Sequence, residues 1–268
     1  MSSGQGARDD REWNAGVYHR VSNPQLDWGL PVLERLPLGG GEVVLDVGCG
    51  TGRLTERLVE RLPRGRAVCV DRSENMLQTA REHLEPRCGG RVAFACADAA
   101  ALPFSGIADA VFSTATFHWV LDHDRLFASL FAALKPGGRL VAQCGGGPNL
   151  HDVHARCERL MHETTFAPHF SRWRNPWEFA DASTTARRLE RAGFTEIETR
   201  VHASPVVQPD AAAYREFVEH VICRPYLSDL PEPSLRAQFM DRLTEQAARQ
   251  SPPFTLDYWR LNLDATRP

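Results

Sequence analysis

Several things are missing from this chain, and each absence narrows what it can be. No apolar run in its 268 residues approaches the roughly 18 that a membrane-crossing helix needs, and the first residues show no apolar stretch of a secretion signal. No excess of charge stands out. Lys and Arg total 31 against 34 Asp and Glu, a net charge of −3 with both signs scattered, so the electrostatic footprint of a nucleic-acid binder is absent. The seven cysteines are odd in number and form no C-x-x-C pair, which argues against a disulfide framework. Cys69, Cys96 and Cys144 sit inside apolar stretches and read as reduced, buried small hydrophobes of a cytoplasmic protein. Internal repeats are absent too. What remains is the balance of an ordinary globular protein, 43% hydrophobic and 24% charged. The length suits one large α/β core with a lid, or at most two small domains.

The most informative stretch runs from Val43 to Gly52. Val43 to Val47 is a short β-branched run, too short for a helix, and reads as a buried strand. Gly48, Gly50 and Gly52 follow at alternate positions, and then Leu54, Leu58, Val59 and Leu62 recur at helical spacing. Strand, glycine loop and helix in that order let a ligand approach bare backbone and meet the N–H groups of a helix start. A second apolar run, 67–71, ends on Asp71, nineteen residues after Gly52. An acidic side chain ending the neighbouring strand lies across the crevice, where ribose hydroxyls can donate to it.

The spacing Asp46-x-Gly48-x-Gly50-x-Gly52 differs from the G-x-G-x-x-G of dinucleotide folds. It resembles motif I of the class I S-adenosylmethionine-dependent methyltransferases, whose ligand carries an amino-acid tail instead of a pyrophosphate. Downstream, 97–104 is similar to the family segment in which an acidic side chain accepts from the adenine amino group, here Asp98 beside Ala99; Asp98 as a turn cap is the other reading. A helix, then Lys135-Pro136-Gly137-Gly138, then a strand over 139–144 continue the family's order. The resemblance implies a doubly wound, Rossmann-like, seven-stranded, mostly parallel α/β sheet with helical lid insertions. It also implies S-adenosyl-L-methionine as cofactor, held by Asp46, Gly48, Cys49, Gly50, Gly52, Asp71, Arg72, Met76, Asp98, Ala99 and Thr114. Met76 is equally well explained as core, and Cys49 as packing.

Along the chain, 1–12 is polar and expected to be disordered. Residues 13–268 form one methyltransferase domain, with 13–145 as the cofactor-binding half and 146–184 and 206–253 as lids. Residues 13–36 read as a helix with Leu26, Leu30, Leu33 and Leu36 on one face. Its Tyr18, His19, Arg20 and Trp28 either fold over the cofactor or simply pack and solvate. Ser73 caps a helix over 74–84, a turn follows at 86–90, and strands are expected at 92–97 and 108–115. Asp124 is expected to cap the next helix, and the glycines after Lys135 to end it. Further on, a helix over 185–192, a strand over 194–201, helices within 210–250 interrupted by a Pro-rich linker at 225–233, and a last strand over 255–262 complete the reading.

His118 and Trp119 follow the fourth strand, at the rim where open α/β sheets bind ligands. His118 is the candidate general base, its free pKa being near neutral; packing is the alternative. The His118-Trp119 pair resembles the trans-aconitate and malonyl-carrier-protein methyltransferase group, which esterifies carboxylates. Over 145–183 the α/β rhythm breaks into aromatic and basic residues. There Trp173 could wall a substrate pocket and Arg172 could pair a substrate carboxylate. His151, His154 and Cys157 lack a second ligand pair at zinc spacing, so no metal is expected. A carboxylate acceptor needs no base, so the favoured function is methyl transfer to a carboxylate or other oxygen of a small molecule. N- or C-methylation of a specialised metabolite, a non-catalytic S-adenosylmethionine-binding module, and an NAD(P) oxidoreductase are the alternatives. Neither nucleic acid nor membrane is expected as partner, and the chain should be a monomer or homodimer.

Overall fold

The computed structural model describes residues 23–268; the expected tail 1–12 and Tyr18, His19 and Arg20 lie outside the described residues. In chain order the elements are α1 (Asn23–Arg35), β1 (Val43–Val47), α2 (Arg53–Glu60), β2 (Arg66–Asp71), α3 (Glu74–Cys88), β3 (Val92–Cys96), β4 (Ala108–Thr114), α4 (His123–Ala133) and β5 (Leu134–Gly145). Then come α5 (His151–Met161), α6 (Ala182–Ala192), β6 (Thr195–Ala203), β7 (Val206–Val207), α7 (Ala211–Phe217), a π turn at Val218–Ile222, α8 (Arg224–Ser228), α9 (Pro233–Ala247), β8 (Thr255–Leu256) and β9 (Trp259–Thr266).

Seven strands form one sheet in the order β3-β2-β1-β4-β5-β9-β6. The first five are parallel, and β9 runs antiparallel to both β5 and β6. Helices cover both faces, which is why the strands read as unbroken apolar runs. Along β1 the side chains alternate: Val44 joins the cluster under α1, α2 and α3, while Leu45 and Val47 join the cluster under α4 and α6. A third cluster, running from Leu150 to Tyr258, belongs to the segments inserted after β5 and after β6. Chain order reverses between β1 and β4, the switch point at which such sheets open a crevice.

Several expected boundaries shift, each for a local reason. In α1, Leu33 and Leu36 are buried as expected, but Leu30 is 36% exposed and Val32 takes its place. Repeated steps of three fall short of a full helical turn, so the stripe rotates off the face. Helix α3 continues to Cys88 through Pro86 and stops at Gly89, whose φ is +57°. The cap of α4 is Asp122, whose Oδ1 accepts from the Arg125 amide over 3.0 Å, a bond worth about 1 kcal/mol; Asp124 pairs instead with Arg191. That helix ends at Ala133, and Lys135 to Gly138 already belong to β5. There Gly137, at φ +78°, turns its N–H to the Arg267 carbonyl, so the glycine serves a bend within the strand. Asp181 caps α6, which begins at Ala182, three residues earlier than the expected start at 185. The linker expected at 225–233 is partly helical, with Pro225 in the first turn of α8, where its missing N–H is not needed. The final strand divides into β8 and β9, because the Tyr258 amide bonds back to the Leu256 carbonyl over 2.9 Å.

Candidate active site

Beyond β1 the chain turns sharply: the amides of Gly48 and Cys49 both donate to the Val70 carbonyl, over 2.7 and 3.0 Å. Gly48, Gly50 and Gly52 all adopt positive φ, the region where an L side chain is disfavoured. Their surroundings differ. A Cβ on Gly48 would collide with Thr116, and one on Gly52 would lie 2.7 Å from Leu84 Cδ1. One on Gly50 would meet nothing within 4 Å. Gly48 and Gly52 therefore answer to packing, whereas Gly50 leaves bare backbone facing open space.

Asp71 closes the other side of that space. Its Oδ2 accepts from the Gly50 amide over 3.0 Å and its Oδ1 from the Ser73 amide over 2.9 Å. Ser73 caps α3 by accepting from the Met76 amide over 3.3 Å, so Asp71 is not needed as the cap. Burial raises the Asp71 pKa, against the amide hydrogen bonds that pull it down.

These groups border a cleft of about 660 Å³. Of the residues singled out from sequence, Gly48, Gly50, Asp71, Arg72, Met76, Asp98, Ala99, Thr114, Trp119, Arg172 and Trp173 line it. Asp98 accepts from the Ala100 amide over 2.9 Å through Oδ1, so it caps its turn while facing the cleft. Asp46, Cys49 and Gly52 do not line the cleft. Asp46 is 3% exposed and accepts from the Thr55 hydroxyl over 2.6 Å. Burial lifts its pKa to about 7, the Thr55 hydrogen bond opposing and the Asp71 charge adding to the rise. Arg125, Thr116 and Arg224 border the cleft as well and were not anticipated.

His118 lies at a second, smaller cavity of about 60 Å³, which shares Ala115 and Trp119 with the cleft. The Gly145 amide donates to its Nδ1 over 3.2 Å. An N–H cannot accept, so that nitrogen must keep its lone pair and a neutral ring carries its proton on Nε2. Burial, with the nearby Arg260 charge, pushes the His118 pKa down to about 3. His154, a candidate metal ligand by sequence, has its Nδ1 against the Tyr226 hydroxyl at 2.9 Å, while Cys157 meets Cys223 with 3.6 Å between the sulfurs. Among the described residues no three His, Cys, Asp or Glu side chains converge as a metal site. Trp28 packs at 4.9 Å from Tyr258, under the Arg260 guanidinium.

A crevice at this switch point, with a bare floor and an acidic wall, marks the enzymes that bind a nucleoside cofactor across the sheet. The comparisons with known proteins specify which. A methyltransferase domain family matches residues 44–138. Trans-aconitate 2-methyltransferase of Methylobacterium radiotolerans is 30% identical over 90% of this chain and 91% of its own length. That of Variovorax paradoxus is 32% identical over 88% and 90%. A Haemonchus contortus phosphoethanolamine N-methyltransferase 2, solved with S-adenosyl-L-methionine, superposes with a TM-score of 0.61 at 20% identity; the match covers 95% of this chain and 56% of that one. The chain belongs to the class I S-adenosylmethionine-dependent methyltransferases, in the group of the trans-aconitate 2-methyltransferases. It is an enzyme of that kind, with S-adenosyl-L-methionine as its cofactor and a small molecule as its substrate.

Proposed function

We propose that the chain methylates a carboxylate oxygen of a small polycarboxylic acid, trans-aconitate or a close relative, to give a methyl ester. The observation that carries this reading is the state of His118, the candidate base, and of the other ionisable groups at the smaller cavity, which borders the cleft through Ala115 and Trp119. His118 and His154 are held neutral by burial, at about 3 and about 4, beside the positive Arg260. Among the described residues lining it, none is a base poised near neutral pH, the property that deprotonating a phenol, alcohol or ammonium calls for. S-adenosylmethionine, when bound, supplies an electrophilic methyl carbon; an acceptor that is already a carboxylate gives up no proton.

The residues of the cleft fit the cofactor on their own geometry. Gly50 lets the ligand's amino-acid end lie on backbone, and Asp71 accepts from the ribose hydroxyls. Met76, Arg72 and Ala99 line the cleft and would hold the adenine and ribose there. Asp98, with one oxygen committed to its turn, would offer the other to the adenine amino group, and Thr114, at the end of β4, would border the cofactor. Asp46 holds the start of α2 through Thr55, and Cys49 and Gly52 support the loop by packing. Of the described residues, 23–145 would then form the cofactor half, while 146–184 and 206–253 act as lids that exclude water; Trp119, Trp173 and Arg172 line the cleft. The free thiols suit a reducing cytoplasm.

Incubation of the protein with methyl-labelled S-adenosylmethionine and a panel of tri-, di- and monocarboxylic acids, phenols and amines tests this. Label released as methanol by mild alkali, from the polycarboxylic acids only, supports it; label confined to phenols or amines refutes it.

A further inference from the structure

The smaller cavity is built from parts that are far apart in sequence. The turn after β4 gives Ala115, His118 and Trp119, the start of α5 gives Asn149, Leu150 and His154, and β9 gives Arg260. Two of the few non-glycine residues at positive φ, Ala115 and Leu150, both at +54°, lie in its wall. Each costs the backbone about 1 kcal/mol or more, and such strain collects where a site dictates the conformation.

Arg260 is 4% exposed. Its guanidinium lies 3.4 Å from the Trp28 ring centre and 4.5 Å from that of Tyr258, which fixes the plane of its donors. None of the described side chains lining the cavity is acidic. The Tyr226 hydroxyl can donate to His154 Nδ1, leaving the ring's proton on Nε2. That nitrogen is buried and has no hydrogen-bond partner among the described residues. His118 likewise carries its proton on Nε2, because Nδ1 accepts from Gly145. Three donor side chains, one of them a cation, thus line a cavity walled in part by aromatic rings. A water needs about 10–15 Å³ on the same measure, so about 60 Å³ accommodates a group of carboxylate size. The shared walls Ala115 and Trp119 set this cavity directly beside the cofactor cleft.

We propose that this cavity receives a second carboxylate of the acceptor, the one that is not methylated, with Arg260 as its ion partner and His154 Nε2 and His118 Nε2 as further donors. The proposal rests on the reading of the acceptor as a carboxylic acid. It makes Arg260 the residue that selects polycarboxylates over monocarboxylates, and it fixes which carboxylate is presented for transfer by anchoring the other. A planar guanidinium paired with a carboxylate supplies both affinity and orientation. The sequence gives little sign of it, since Arg260 stands between Trp259 and Leu261 in a strand where polar and apolar residues alternate, and nothing local sets it apart from Asn262 or Asp264.

The test uses the full chain saturated with S-adenosylhomocysteine, titrated calorimetrically with trans-aconitate and with the monocarboxylate crotonate. Wild type should bind trans-aconitate at least tenfold tighter than crotonate. Arg260→Gln should erase that ratio while S-adenosylhomocysteine affinity stays within twofold, and Arg260→Lys should restore part of it. Should Arg260→Gln fail to bind S-adenosylhomocysteine through misfolding, His154→Phe decides, since it keeps a ring against Trp177; a three- to tenfold loss for trans-aconitate alone is expected. If both folded variants bind trans-aconitate like wild type, or His154→Phe does so when it alone folds, while wild type methylates carboxylates, the anchoring proposal fails by itself. If wild type neither binds nor methylates any carboxylic acid, the acceptor reading fails and takes the proposal with it.

Discussion

The backbone amide of Gly145, at the carboxyl end of β5, donates to Nδ1 of His118 over 3.2 Å. One hydrogen bond from the neighbouring strand therefore fixes the tautomer of His118 and turns its other nitrogen into a donor. His118→Gln should lower kcat on a carboxylate acceptor by less than about tenfold and leave the pH profile unchanged, since a general base contributes about 10²–10⁴-fold. Steady-state rates from pH 5.5 to 9 check this. A collapse of kcat with intact cofactor binding would make His118 the base after all.

Asp71 offers a more direct probe of the cofactor. Asp71→Ala removes the acceptor for ribose hydroxyls and also frees the amides of Gly50 and Ser73. Calorimetry should find S-adenosylhomocysteine bound at least tenfold more weakly. Unchanged affinity would remove Asp71 from the ribose site.

The glycine loop separates ligand approach from packing. Gly50→Ala places a methyl group where no protein atom lies within 4 Å; beyond a left-handed backbone penalty of about 1–2 kcal/mol, its chief effect should be on S-adenosylhomocysteine affinity, down tenfold or more. Gly52→Ala meets Leu84 Cδ1 at 2.7 Å and should act mainly on stability. Thermal melts with and without S-adenosylhomocysteine distinguish the two. Equal ligand-induced shifts in wild type and Gly50→Ala would contradict the assignment.

Asp46 gives the fold a pH dependence. Its pKa rises from 3.8 to about 7 on folding, chiefly by burial, so the folded state binds the proton more tightly than the unfolded chain does. The contribution of Asp46 to stability is then most favourable at acid pH and declines as pH rises from about 4 through 7, because the unfolded chain gives up this proton first. Asp46→Asn, which keeps an acceptor for the Thr55 hydroxyl, should melt above wild type at pH 8 and lose that advantage at pH 5. A difference in melting temperature that is the same at both pH values would contradict the burial argument.

Much of this was legible in the sequence because local chemistry dictated it. The apolar strands 43–47 and 67–71, the glycines between them and Asp71 at the end of β2 need no distant partner to be recognised. Ser73 is likewise a cap by its position alone. What was not legible depends on contacts across the chain. Asp122 outcompetes Asp124 because the turn before α4 presents its side chain to the Arg125 amide. Gly137 bends β5 to reach Arg267, 130 residues away. His118, read as a base from its free pKa, meets Gly145 and the Arg260 charge only after β4, β5 and β9 have assembled. Arg260 itself, the last strand's contribution to the smaller cavity, has no local signature at all.

On the proposed function a carboxylate, not a protic group, takes the methyl. The most direct measurement is the alkali lability of the product formed from methyl-labelled S-adenosylmethionine and trans-aconitate, with S-adenosylhomocysteine counted alongside. One alkali-labile methyl ester is expected for each S-adenosylhomocysteine formed. Alkali-stable label, or tight cofactor binding with no transfer to any carboxylic acid, would contradict it.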